Sequence, residues 1–163
     1  MTDERYPEAK LWDMIADIRV AMLTTKHGDK LASRPMHAYL DREARCLWFI
    51  TPLGTDKTHD ISNGEAVNLA FVDMEGQNYV SLNGEAHVVR DVAKAKELWN
   101  AIAEAWLPQG PEAPDVGLIR VDPIEATYWD SPSSKIAMLW DVAMANLTQT
   151  PPSDGEVRKV SLR

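Results

Sequence analysis

Hydrophobic residues change their spacing along this chain, and each change marks an element. Leu11, Ile15 and Ile18 fall at i, i+4 and i+7 with Met14 beside them, behind Pro7 and Glu8 where a first helical turn would begin. The pattern predicts an amphipathic helix over residues 7–18. From Arg19 to Thr51 the runs VAMLTT, LASRPMHAYL and CLWFIT are rich in β-formers and are divided by the polar segments KHGDK and DREAR, which reads as an antiparallel meander. Residues 55–62, TDKTHDIS, are too polar for a strand and stop at Asn63-Gly64, so a short helix or helical turn is expected. Val67, Leu69 and Phe71 then alternate with Asn68 and Ala70, and Val80 and Leu82 alternate with Tyr79 and Ser81 in a run from Tyr79 to Val89. These make a second hairpin.

Val92, Ala95, Trp99, Ile102 and Trp106 form one stripe at helical spacing, with Asp91 as N-cap, and predict a single helix from Val92 to Trp106. On this pattern Trp99 and Trp106 belong to the core, and Lys94, on the polar face, is solvated. Pro108, Gly110, Pro111 and Pro114 end the helix in a loop, and VGLIRV and IEATYW follow as one or two strands interrupted at Asp122-Pro123. Ser133 or Ser134 would cap a last helix in which Ile136, Trp140, Ala143 and Leu147 share a face. The tail from Pro151, Pro-rich and charged, is expected to be mobile. Six or so strands punctuated by single helices, without regular βαβ alternation, argue for one mainly β (α+β) domain over residues 1–150. It is a small antiparallel barrel with helices packed outside, and residues 151–163 form a flexible tail.

With 163 residues the chain has room for one sizeable core, and 45% hydrophobic against 26% charged residues is an ordinary globular composition. A formal net charge of −8 opposes phosphate-backbone binding, so nucleic acid is excluded as the expected partner. The single Cys46 has no partner for a disulfide and is expected to be buried in its strand, without a cationic neighbour to activate it. The N-terminal segment MTDERYPEAK has no apolar core, and no run approaches a membrane span, so a cytoplasmic, reducing location is the expectation, with no membrane partner.

His27, His37, His59 and His87 are scattered without ligand-like spacing, which leaves no metal site to expect. His59 and Asp60 are adjacent, so on a helix their side chains diverge, and no Gly-x-Ser-x-Gly elbow supports hydrolysis. Neither Gly-x-Gly-x-x-Gly nor a Walker loop is present, so any phosphate must be held by side chains. The suggestive spacing is Arg34-Pro35-Met36 on the second strand, Ile50-Thr51 closing the third, and Thr55 with Lys57 opening the helical turn. An Arg that forks onto a phosphate, a Lys and a hydroxyl could form an anion pocket. Trp48 and Trp129 alternate on strands, and the pattern leaves each between core and ligand wall.

Five pieces stand in register between Met22 and Asp130: RPM at Arg34, WFIT at Trp48, T-x-K at Thr55, G-x-A at Gly84 and YWD at Tyr128. Together they resemble the FMN-binding split-barrel superfamily, in particular its general stress protein 26 branch, relatives of pyridoxamine 5′-phosphate oxidase. The resemblance implies a six-stranded antiparallel split β-barrel with flanking helices, assembled as a homodimer with two FMN sites at the interface. It puts Arg34 and Lys57 on the FMN phosphate with Thr55 beside them, the Pro35-Met36 backbone along the isoalloxazine, and Ile50-Thr51 against the ribityl and ring edge. Trp129 is implied as a ring neighbour from the partner subunit.

The chain departs from the oxidase pattern at three points. Asp56 stands where a second basic residue usually precedes the Lys, Tyr79 stands where a flavin-touching Gln is usual, and no Arg-Leu substrate segment follows Trp129. Vitamin B6 oxidation is therefore not expected. What the resemblance implies is an FMN-dependent oxidoreductase acting on a small-molecule redox substrate, or a non-catalytic flavin-binding stress-response module. The absorption spectrum distinguishes FMN from a deazaflavin or haem on the same scaffold.

Overall fold

The computed structural model describes residues 5–61, 64–131, 135–149 and 155–163. Helix α1, Arg5–Ile18, precedes four strands, β1 Val20–His27, β2 Lys30–His37, β3 Tyr39–Asp41 and β4 Cys46–Pro52. A helical turn, α2, spans Asp56–Asp60, and the hairpin β5 Glu65–Asp73 and β6 Asn78–Val89 follows. Two short helices, α3 Val92–Leu98 and α4 Ala101–Trp106, lead to β7 Val116–Asp130, α5 Lys135–Thr148 and β8 Glu156–Ser161. The candidate caps Ser133 and Ser134, and Asn63, lie outside the described residues.

Among the described residues all strands join one antiparallel, eight-stranded sheet in the order β2-β1-β5-β6-β7-β4-β3, with β8 also on β7. The sheet does not close. β2 pairs with β1 alone, and its other edge approaches β4 without a ladder among the described residues. The run LASRPMHAYL gives two strands because Ala38 leaves the ladder, its N–H donating to Arg19 O at 2.7 Å. Tyr39–Asp41 then pairs with β4 instead.

β7 is one continuous strand of 15 residues, so the expected interruption at Asp122-Pro123 is corrected. Pro123 is tolerated because the β6–β7 register shifts between Asn83 and Gly84, opposite it. A Cβ on Gly84 would lie 2.7 Å from Val121 Cγ1 and 2.8 Å from Asp122 O, so only glycine permits this approach. The first half of β7 carries β4, and the second half carries β8. The expected tail is thus a strand over Glu156–Ser161, and with β3 it raises the strand number from six to eight. Its hydrogen bonds to β7 and the burial of Val160 and Leu162 hold it there.

Alternation sends Leu23, Leu69, Phe71, Val80, Leu82, Phe49, Ile119 and Val121 to the interior face, where α1 inserts Leu11, Met14 and Ile15. Each such side chain contributes about 1.5–3 kcal/mol by leaving water. Cys46 is buried as expected, but Arg120 and Lys94 act on it; burial outweighs them and pushes its thiol up. Trp48 is core rather than ligand wall, only 8% exposed, with Lys94 and Arg120 each 5.6 Å from its ring. Lys94 is correspondingly not solvated: it bonds Asp41 at 3.3 Å and Glu97 at 2.9 Å.

The expected long helix is broken. Trp99 turns extended, and Asn100 starts a new helix, its side-chain oxygen accepting from the N–H groups of Ile102 and Ala103. This Asn cap competes with continuation of the helix and redirects the stripe. Trp106 becomes 82% exposed, and Trp99, half-buried, donates its indole N–H to Glu104.

The reassignment of the C-terminus has a direct test. Leu162→Ala should destabilise by about 2–3 kcal/mol, whereas Leu31→Ala should stay within about 0.5 kcal/mol, because Leu162 is 9% exposed and Leu31 77%. Equal urea midpoints for the two variants would return residues 156–163 to a solvated tail.

Candidate functional site

The open seam between β2 and β4 holds a cavity of about 380 Å³, within the usual size of a small-molecule site. Arg34, Pro35, Met36 and His37 of β2 form one side, and Ile50 of β4 and Lys57 of α2 form the other. Ile102, Trp106 and Leu107 close the end supplied by α4. The cavity is apolar at that end and cationic at the other.

Arg34 stands opposite the fully buried Leu23 in the β1–β2 register, so its side chain leaves the strand on the interior face. It donates through Nη1 to Thr25 Oγ1 at 2.7 Å, and its Nη2 is 3.9 Å from Asp60 Oδ2. Thr25 is 1% exposed and donates onward to Asp60 at 3.5 Å. Asp60 also holds His27 Nδ1 at 2.6 Å.

Lys57 is placed by the first turn of α2. The Thr55 N–H donates to Thr58 Oγ1 at 3.0 Å, and the Thr55 hydroxyl donates to Pro52 O at 3.4 Å, which ties α2 to the end of β4. Burial, then the Arg34 charge, lower the Lys57 ammonium below its ordinary value. Lys57 has no ion-pair partner among the described residues. His37 and Tyr39 stack obliquely on the seam with centroids 4.8 Å apart. Burial, then Arg19, lower the His37 imidazole below its usual value.

Of the residues singled out from sequence, Arg34, Pro35, Met36, Ile50 and Lys57 therefore meet around one cavity. Thr51 is fully buried on the opposite side of β4 from Ile50, as strand alternation requires, and its hydroxyl turns to Pro52 O at 3.3 Å. Thr55 positions α2 without lining the cavity. Trp129 lies elsewhere in the chain, paired with Tyr79 and beside Val157 around a second hollow of about 310 Å³. The sequence reading missed Thr25, Asp60, His37 and the α4 wall. Thr25 was accessible, since it shares the parity of the interior residues Ala21 and Leu23.

The family described as pyridoxamine 5′-phosphate oxidase like matches residues 7–153. This chain belongs to that family. Protein bli-3 of Neurospora crassa is 29% identical over 123 residues, covering 71% of this chain but 59% of the Neurospora protein. A Jannaschia sp. CCS1 protein assigned to general stress protein 26 is 27% identical, with a TM-score of 0.79 over 96% of this chain and 99% of that one. The general stress FMN/FAD binding protein of Xanthomonas citri is also 27% identical, with a TM-score of 0.69 over 77% of this chain and 89% of that one. The open-sheet architecture is thus that of the family, an antiparallel split barrel.

The outer end of the polar chain predicts a titration. The hydrogen bond from His27 to Asp60, then the Asp60 charge, raise the His27 imidazole, with Asp56 assisting and Arg34 opposing. The folded value lies above the unfolded one, so the pair stabilises fully below the unfolded value and is lost as pH rises through the folded value. Proton NMR should place the His27 midpoint above the ordinary histidine value, and Asp60→Asn should lower it. A midpoint unmoved by that substitution contradicts the contact.

Proposed function

We propose that this protein binds FMN in the β2–β4 seam, with the phosphate on Arg34 and Lys57, and serves as an FMN-dependent oxidoreductase. The observation that carries the reading is the pair Arg34 and Lys57: two neighbouring half-buried cations at one end of an apolar-walled cavity, Lys57 without an ion-pair partner among the described residues. Like charges brought together away from water favour an anion between them. Met36, Ile50, Ile102 and Leu107 suit the other end to a flat apolar ring, and all four line the same cavity. Thr55 supports the phosphate end through α2, and the Pro35-Met36 backbone and Ile50-Thr51 border the ring and ribityl chain in this reading. Family membership and the flavin-binding Xanthomonas citri relative support the same assignment.

FMN, when bound, would supply reversible redox chemistry. The chain's own residues anchor the phosphate, align the ring along β2 and keep water from its apolar side. Oxidation of NAD(P)H with FMN at known occupancy, with and without oxygen, separates turnover from a flavin-binding module that only carries or senses the cofactor.

FMN should bind more tightly than riboflavin in a fluorescence titration. Arg34→Ala should weaken FMN about tenfold or more, roughly 1.4 kcal/mol, while loss of Lys96, whose exposed ammonium pairs with Glu112, should leave it unchanged in Lys96→Ala. Phosphate binding returns Lys57 toward its ordinary value. Affinity is therefore complete below the lowered free-state value and falls as pH rises through it. Lys57→Arg should carry FMN binding to higher pH. Equal affinities for FMN and riboflavin would remove the phosphate assignment.

The reading also takes the protein as a homodimer in which Trp129 reaches the partner's flavin. Val72, Tyr79, Trp129 and Val157 stand in one cross-strand row on the outer face of β5, β6, β7 and β8. Val72 is 47%, Trp129 40% and Val157 51% exposed, an apolar band of the kind a second copy covers. Sedimentation should give a dimer with and without FMN, and added FMN should raise the melting temperature. A micromolar monomer whose FMN affinity is unchanged on dilution would refute both the shared site and the dimer.

A further inference from the structure

Arg34 is the cation of the cavity whose direction is set from behind. Its Nη1 donates to Thr25 Oγ1 at 2.7 Å, a hydroxyl that is almost completely buried. A hydroxyl has one proton. Because Arg34 must donate, the Thr25 lone pair faces the guanidinium and the Thr25 proton is left for Asp60 Oδ2, 3.5 Å away. The Asp60 carboxylate is 9% exposed, stands 3.9 Å from Arg34 Nη2, and is held on its far side by His27 at 2.6 Å. Three elements, β1, β2 and α2, therefore meet in one directed chain, Arg34 to Thr25 to Asp60.

The same arrangement separates the two cations of the cavity. Asp60 lies on α2 three residues after Lys57, yet its contacts go to Thr25, His27 and Arg34 and none to Lys57. Arg34 is braced, and Lys57 has no ion-pair partner among the described residues. A carboxylate set between both cations would screen them from an anion; one that engages Arg34 mainly through Thr25 fixes the fork while keeping the positive end open.

We propose that Thr25 and Asp60 are positioning residues that aim the Arg34 guanidinium into the cavity, and that the preference of the site for a phosphorylated ligand depends on this brace. The proposal rests on the phosphate assignment above. The brace itself also has a signature that needs no flavin: restricted rotation of the Arg34 guanidinium, read from its side-chain N–H signals in ¹⁵N-arginine-labelled protein and assigned by their loss in Arg34→Lys.

The variants are Thr25→Val, which keeps the shape and removes the acceptor, Thr25→Ser, which restores it, and Asp60→Asn, which removes the charge. In the protein as it stands, the Arg34 N–H signals should be resolved and slowly exchanging. Thr25→Val should average them and weaken FMN by about tenfold while leaving riboflavin unchanged. Thr25→Ser should recover both readouts. Asp60→Asn should lower the FMN to riboflavin ratio in the same direction. Arg34 signals unchanged in Thr25→Val, or FMN binding tightened in Asp60→Asn, would overturn the brace; the second result would mean that Asp60 acts only by repelling the ligand. If the unsubstituted protein shows no preference for FMN, the phosphate assignment falls and so does the selectivity role, while the NMR comparison still decides whether Thr25 fixes Arg34.

Discussion

The seam along the free edge of β2 is the constraint on which the candidate site depends. A closed barrel would pair that edge and fill the interior positions beside it with apolar side chains. Here β2 is paired on one side only among the described residues, and its interior-facing positions open toward β4 rather than into a sealed core. Arg34 can therefore occupy a position opposite Leu23 that full closure would deny to a cation. Strand parity, which elsewhere sends Leu23, Leu69 and Leu82 inward, sends a guanidinium into the cavity.

The rest of the molecule keeps the seam open and shaped. α1 fills the barrel interior with Leu11, Met14 and Ile15, so that the sheet has a core without closing on itself. β7 joins the two halves, taking β4 along its first part and β8 along its second, and the Gly84 irregularity lets it pass Pro123 unbroken. The break at Asn100 has the same importance for the cavity. A continuous helix would carry Ile102 and Trp106 along the stripe of Ala95; recapped at Asn100, α4 turns them to the apolar end of the seam.

Electrostatics then divides the polar groups by their partners. Lys94, close to Trp48 and bonded to Asp41, is a structural cation, although its sequence position marks a solvated face. Lys57, with burial and Arg34 both opposing its charge, is a cation whose environment favours a ligand. Periodicity cannot tell these two lysines apart, because the difference lies in which carboxylate the fold brings within reach.

The sequence by itself determined β1, β2, β4, β5 and β6 and their parity, since alternation depends on neighbours along the chain, and it singled out Arg34, Met36, Ile50 and Lys57 as a group through spaced motifs that follow local backbone form. Cys46 as a buried strand residue was legible for the same reason. The tertiary structure alone decided what depends on pairing between distant segments. It made residues 156–161 a strand by giving their backbone and Val160 a partner in β7, and it separated Trp129 from the Arg34 cavity within the chain. It also brought Thr25, Asp60 and Arg34 together from three elements, because a hydrogen bond between side chains on different elements leaves no period in the chain that encodes it.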